Sequence, residues 1–105
     1  MWSEVREKLD LSIEAVKAMK KYGEKAAQTE RDYHVIKAKK ALELKDTGMP
    51  ATLINLVVVG DPEVAEAKFQ RDVAEVMYKT AQELVNVRKI ETKCENEQLA
   101  REWNG

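Results

Sequence analysis

Apolar residues recur three or four positions apart along the first part of the chain, at Val5, Leu9, Ile13, Val16, Met19 and Tyr22. That spacing draws a stripe down one face of a helix. A polar patch, Gln28 to Asp32, interrupts the stripe. It resumes at Tyr33, Ile36, Leu42 and Leu44. Ser3 suits an N-cap, and Glu4 and Glu7 sit well against the helix dipole. Gly23 is the one weak point, costing about 1 kcal/mol relative to Ala. The pattern predicts one helix over about 3–46, with a bend or local fraying near 23–31. Thr47-Gly48 ends it, the glycine taking the left-handed position after the cap.

A nonapeptide of opposite character follows. Between Gly48-Met49-Pro50 and Gly60-Asp61-Pro62, the run Ala51 to Val59 has only Thr52 and Asn55 as polar residues. Three consecutive valines favour extended structure, and length alone leaves helix and strand both open. A short helix over about 50–59 is preferred, with Pro50 as its first residue, because the chain offers no second strand for pairing. Asp61-Pro62-Glu63 then reads as a strong helix start. The third element, over about 62–103, carries Ala65, Phe69, Val73, Val76, Thr80, Leu84, Val87, Ile90 and Cys94 on one face.

Two helices of this length joined by a short linker fold back antiparallel. The expected fold is therefore all-α: a long, coiled-coil-like antiparallel helical hairpin with a short apolar helix at its tip. Residues whose numbers sum to roughly 107 should face each other. Tyr33 would then lie near Val73 and Leu44 near Val64, and Trp2 and Trp103 would clasp at the open end. Such a hairpin buries only a strip, and its net stability is near zero once chain entropy is counted. The linker residues cannot all be hidden by two helix ends. The hairpin is therefore expected to self-associate as a dimer or tetramer through Leu53, Ile54, Leu56, Val57, Val58, Phe69, Val73 and Val76.

Composition narrows this picture. A chain of 105 residues is one domain, and low Gly and Pro with 35 % charged residues suits long helices. A net charge of −1 argues against a polyanion binder working by bulk charge. The lone Cys94 forms no internal disulfide, which fits a reducing cytosol, and its place on the apolar face of the third helix points to core or interface. Met1-Trp2-Ser3-Glu4 runs directly into charged helix without the pattern of a leader. The apolar run is too short for a membrane span, which needs about 20 residues. The protein is expected to be soluble and to reside in the cytoplasm of a bacterial host cell, with no membrane partner.

Catalytic and metal constellations are sparse. His34 is the only histidine, and its i,i+4 neighbour Glu30 marks an exposed helix histidine. There is no Gly-rich phosphate loop, no C-x-x-C and no H-E-x-x-H. No catalytic residue, metal ligand or cofactor is assigned. Glu43 and Asp46 close the first helix, and Glu63 and Glu66 open the third, each pair on one face. Magnesium-dependent all-α nucleotide pyrophosphohydrolases carry E-x-x-E on one helix and E-x-x-D on the next. Here the order is reversed and an apolar linker separates the pairs, so this is the weakest of three readings.

Basic residues do gather. Positions 17–45 hold nine Lys or Arg against four acids. Lys17, Lys21 and Lys25 share a face, and Lys37 and Lys40 extend the charge toward the tip with Tyr33 interleaved. A stripe of this kind can follow a phosphate backbone. It defines a second reading, a nucleic-acid-binding accessory protein.

The segments Arg31-Asp32-Tyr33 to Lys40-Ala41-Leu42, Gly48-Met49-Pro50-Ala51-Thr52-Leu53-Ile54, Gly60-Asp61-Pro62-Glu63-Val64-Ala65 and Phe69-Gln70-Arg71-Asp72-Val73-Ala74-Glu75 resemble small uncharacterised helical proteins of phages and prophages of Gram-positive bacteria. The resemblance covers about the C-terminal two thirds of the chain and rests on structural punctuation plus an amphipathic helix. It brings no catalytic residues. What it implies is a non-enzymatic phage accessory protein acting by contact with an unidentified host or phage protein: an inhibitor or adaptor of a macromolecular machine, or a counter to host defence. That is the first reading.

Overall fold

The computed structural model describes residues 2–104. Three helices follow in order: α1 (Trp2–Asp46), α2 (Ala51–Val58) and α3 (Pro62–Asn104). The two long helices pack against each other as an all-α hairpin, and no strand occurs among the described residues. Neither Gly23 nor the polar patch after it interrupts α1. Inside that patch Thr29 is buried, and its hydroxyl donates to the carbonyls of Lys25 (2.9 Å) and Ala26 (3.1 Å). A polar side chain is thus accommodated within the helix without leaving an unsatisfied group.

The punctuation acts as the residue types dictate. Gly48 takes φ +87°, a left-handed conformation costly for any residue with a Cβ. The amides of Thr47 and Gly48 donate to Leu44 and Lys45 carbonyls left over at the end of α1. Asp61 caps α3: its Oδ1 accepts from the amides of Glu63 (2.9 Å) and Val64 (3.2 Å). Pro50 differs from expectation by one place. It is the N-cap of α2, with extended backbone, and its carbonyl accepts from the Leu53 and Ile54 amides. The three valines do not force a strand, because an isolated strand would leave its backbone groups unpaired.

Contacts divide the chain into two compact units. One joins the first half of α1 (to Tyr22) with the second half of α3 (from Met77); the other is continuous from Gly23 to Val76. In the first unit the turned-in positions are Val5, Lys8, Ser12, Ala15, Met19 and Tyr22 on α1, facing Tyr78, Ala81, Val85, Arg88, Thr92, Glu95 and Leu99 on α3. Ser12 Oγ and Thr92 Oγ1 lie 3.4 Å apart across it. In the second unit Ala26, Thr29, Tyr33, Ile36 and Lys40 face Val64, Ala67, Arg71 and Ala74. Both sets alternate in steps of three and four, the signature of a coiled-coil seam.

These seams correct the expected faces. Small residues (Ala15, Ala67, Ala74 and Ala81) supply much of the fully buried surface. Leu9, Ile13 and Val16 stay exposed, as do Phe69, Val73, Val76, Leu84, Val87 and Ile90. Most of the large, purely apolar side chains of α3 are thus not on the face that meets α1. Cys94 is exposed, so it is not part of the chain's own core. Tyr33 meets Arg71 rather than Val73, two residues or about 3 Å along α3, whereas Leu44 does pack on the cluster containing Val64. Trp2 and Trp103 are 79 % and 90 % exposed, so the indoles do not bury each other in a clasp.

Candidate contact surface

The unit from Gly23 to Val76 holds all eight residues expected to mediate association. The eight-residue helix α2 is apolar on nearly every side, a pattern that ordinarily marks a helix surrounded by protein. Ile54 and Val58 point inward. Val58, 1 % exposed, forms the centre of a core with Val64, Tyr33 and Ala67, flanked by Ile36, Ala41 and Leu44. These two residues therefore serve the chain's own core and are unavailable to another molecule. Leu53, Leu56 and Val57 take the outer side, separated by three and four positions, and Val59 joins them. Leu56 is 73 % exposed. On α3, Phe69, Val73 and Val76 are exposed as well.

Beside α2 lies a groove of about 360 Å³ lined by Lys40, Glu43, Leu44, Leu56, Val57, Gly60 and Asp61. Its polar wall is held by one ammonium. Lys40 Nζ stands 3.1 Å from Glu63 Oε2, 3.7 Å from Glu43 Oε2 and 4.0 Å from Asp61 Oδ2. The hydrogen bond to Glu63 first, then the charges of Asp61, Glu43 and Glu63, raise the Lys40 pKa above its ordinary 10.5. Lys40 thus ties the end of α1 to the start of α3. A second groove, about 350 Å³ and mostly apolar, is lined by Thr29, Asp32, Ile36, Glu63, Glu66, Ala67 and Gln70.

Tyr33, also expected to touch a partner, is instead 6 % exposed. The Arg71 guanidinium covers its ring at 4.4 Å and Lys37 Nζ approaches to 5.7 Å, geometry suited to cation–π attraction. Arg71 is steadied by Asp72 at 3.0 Å and Glu30 at 3.7 Å, and Glu30 accepts from or pairs with His34 at 2.7 Å. A covered ring cannot stack on a nucleobase, and Lys40 is neutralised by three carboxylates. Two of the six residues in the basic stripe are thereby used inside the chain. Lys25 is exposed in this unit; Lys17 and Lys21 are exposed in the other, with Lys21 Nζ 5.8 Å from the ring of Tyr22.

The carboxylates of the pyrophosphohydrolase reading do not assemble around a shared vacancy. Glu43 and Glu63 converge on Lys40. Among the described residues, no group of three or more His, Cys, Asp or Glu side chains is arranged to hold a metal ion, and no helix is long and apolar enough to cross a membrane.

Sequence reading missed Arg71 as the lid over Tyr33. It grouped Leu84, Val87 and Ile90 on one face with Phe69 and Val73, and all five are exposed. The available signal was the second three-and-four repeat through Val64, Ala67, Arg71, Ala74, Tyr78, Ala81 and Val85, hidden because its residues are small or polar. No family model, no curated protein and no solved structure matches this chain, so its surface alone carries the functional reading.

Proposed function

We propose that this protein works by contact: a helical hairpin that self-associates and presents its apolar surface to another macromolecule, in the manner of an accessory protein. The observation carrying this reading is α2. An eight-residue helix spends two side chains on the chain's core and leaves Leu53, Leu56 and Val57 outside, with Val59 exposed at its C-cap. Apolar side chains grouped on a surface mark interaction sites more often than scattered ones do. The resemblance to phage and prophage proteins adds the setting, a host or phage machine as the molecule engaged.

Light scattering over a concentration series tests the reading, with Leu56→Asp as the comparison. Because Leu56 lies outside the core, the variant should keep wild-type helicity by circular dichroism and lose mass at concentrations where the wild type is larger than 12.0 kDa. A wild-type chain that stays monomeric throughout contradicts it.

A further inference from the structure

Within the unit from Gly23 to Val76, the mostly apolar groove of about 350 Å³ is walled by α1 on one side and α3 on the other. Ala67 is buried and Ile36 half-buried along its floor. Thr29 lines it too, but its hydroxyl proton is spent on the carbonyls of its own helix. The exposed rim is Asp32, Glu63, Glu66 and Gln70, three of them acids and none a base. The whole chain has a net charge of only −1, so this rim is a local concentration of acid.

Other acids of the unit are answered by cations. Arg71 stands beside Asp72 and Glu30, and Lys40 beside Glu63, Glu43 and Asp61. Asp32 and Glu66 have no such partner among the described residues. Asp32 Oδ1 accepts from Gln28 Nε2 at 2.8 Å, and Glu66 Oε1 accepts from Gln70 Nε2 at 2.9 Å. An amide holds a carboxylate in place without cancelling its charge, and each keeps a second oxygen as acceptor.

An occupant must therefore offer apolar carbon to Ile36 and Ala67, and positive donors to both walls at once. A helix with an apolar row flanked by basic residues meets both demands. Laid along the groove, it sets the row on the floor and its flanks against Asp32 of α1 and Glu66 of α3, as a and d positions and e and g positions do in a coiled coil. Arginine suits the flanks, because its planar fork matches a carboxylate. Phosphate is repelled by the same rim. We infer that this groove is a docking site for a basic amphipathic helix of a partner protein. None of its lining residues is among the eight assigned to self-association, so both contacts can form together.

This inference rests on the contact reading proposed above and names the chemistry of the molecule engaged. The probe is a labelled peptide roughly three heptads long, with Leu at a and d and Arg at e and g, whose like charges keep it from pairing with itself. Fluorescence anisotropy should show binding to the wild-type protein that weakens as salt rises. Serine in place of the leucines should abolish it. Asp32→Asn with Glu66→Gln leaves both exposed sites similar in shape, should keep wild-type helicity, and should weaken binding about tenfold, or about threefold for each charge. Glu14→Gln with Glu83→Gln removes the same charge from exposed sites in the other unit and should change nothing. Asp32→Lys with Glu66→Lys should shift preference to a peptide with Glu at e and g. Equal wild-type binding of the basic and acidic peptides would overturn the inference, as would equal losses from the two neutralised pairs. Loss of the wild-type assembly on neutralising Asp32 and Glu66 would overturn it too, by making a second copy the occupant. A wild type that self-associates and ignores the basic peptide refutes the docking site alone, whereas a monomeric wild type contradicts the self-association.

Discussion

Val58 and Leu56 sit two residues apart on one short helix and are expected to respond oppositely to the same substitution. Val58 is 1 % exposed, at the centre of the tip core. Val58→Ala removes two methyl groups, about 1.6 kcal/mol at ~0.8 kcal/mol for each buried carbon. Incomplete collapse of the void adds up to about 1 kcal/mol. Alanine's better helix propensity returns about 0.5 kcal/mol. The net loss is about 2 kcal/mol, or on the order of 10 °C in Tm for a domain near this size. Leu56→Ala removes more carbon from a mostly exposed site and should cost within about 0.5 kcal/mol of nothing in the isolated chain. Thermal unfolding followed by circular dichroism across a hundredfold concentration range separates the two. The Val58→Ala deficit should persist at every concentration. Any Leu56→Ala deficit should grow with concentration, because it concerns association. Equal, concentration-independent losses would mean that α2 is rotated from the orientation described.

Two further outcomes follow from the ends of the helices. Gly48→Ala forces a Cβ into a left-handed residue with no neighbouring atom to blame, and should cost about 1 kcal/mol in urea unfolding; an unchanged midpoint would show that the turn relaxes freely. Lys40 has a pKa raised in the folded state, so its ion pairs contribute fully below the ordinary lysine value of 10.5 and fade as pH climbs through the folded value. The stability difference between wild type and Lys40→Met should therefore be present at neutral pH and shrink in the alkaline range above 10.5; a difference constant across that range would disprove the role given to the ammonium.

The helix limits were legible because specific residues enforce them. Gly48 admits the left-handed turn, Asp61 supplies the cap, and Pro62 is compatible only with the first turn of α3. The faces were less legible. Ranking positions by the size of their apolar side chains selects Phe69, Val73, Val87 and Ile90, whereas α1 meets the alanine face of the same helix. Small residues allow close backbone approach but carry weak hydrophobic signals, so the true pairing hid beneath a louder stripe. Tyr33 was legible as a special residue and not as a buried one, since its cover, Arg71, comes from 38 positions further along the chain. On α2, Leu53, Leu56 and Val57 are exposed, whereas Ile54 and Val58 are buried. Ile54 and Val58 could be separated from them only once the direction of the helix was fixed.

The lean inner seam has a consequence for abundance. Alanine, serine and threonine bury few carbons, so the α1–α3 contact alone stores little folding free energy. If copies self-associate through their exposed apolar side chains, as proposed above, mass action links folding to concentration. A sparsely expressed chain would then spend more time open and exposed to proteases.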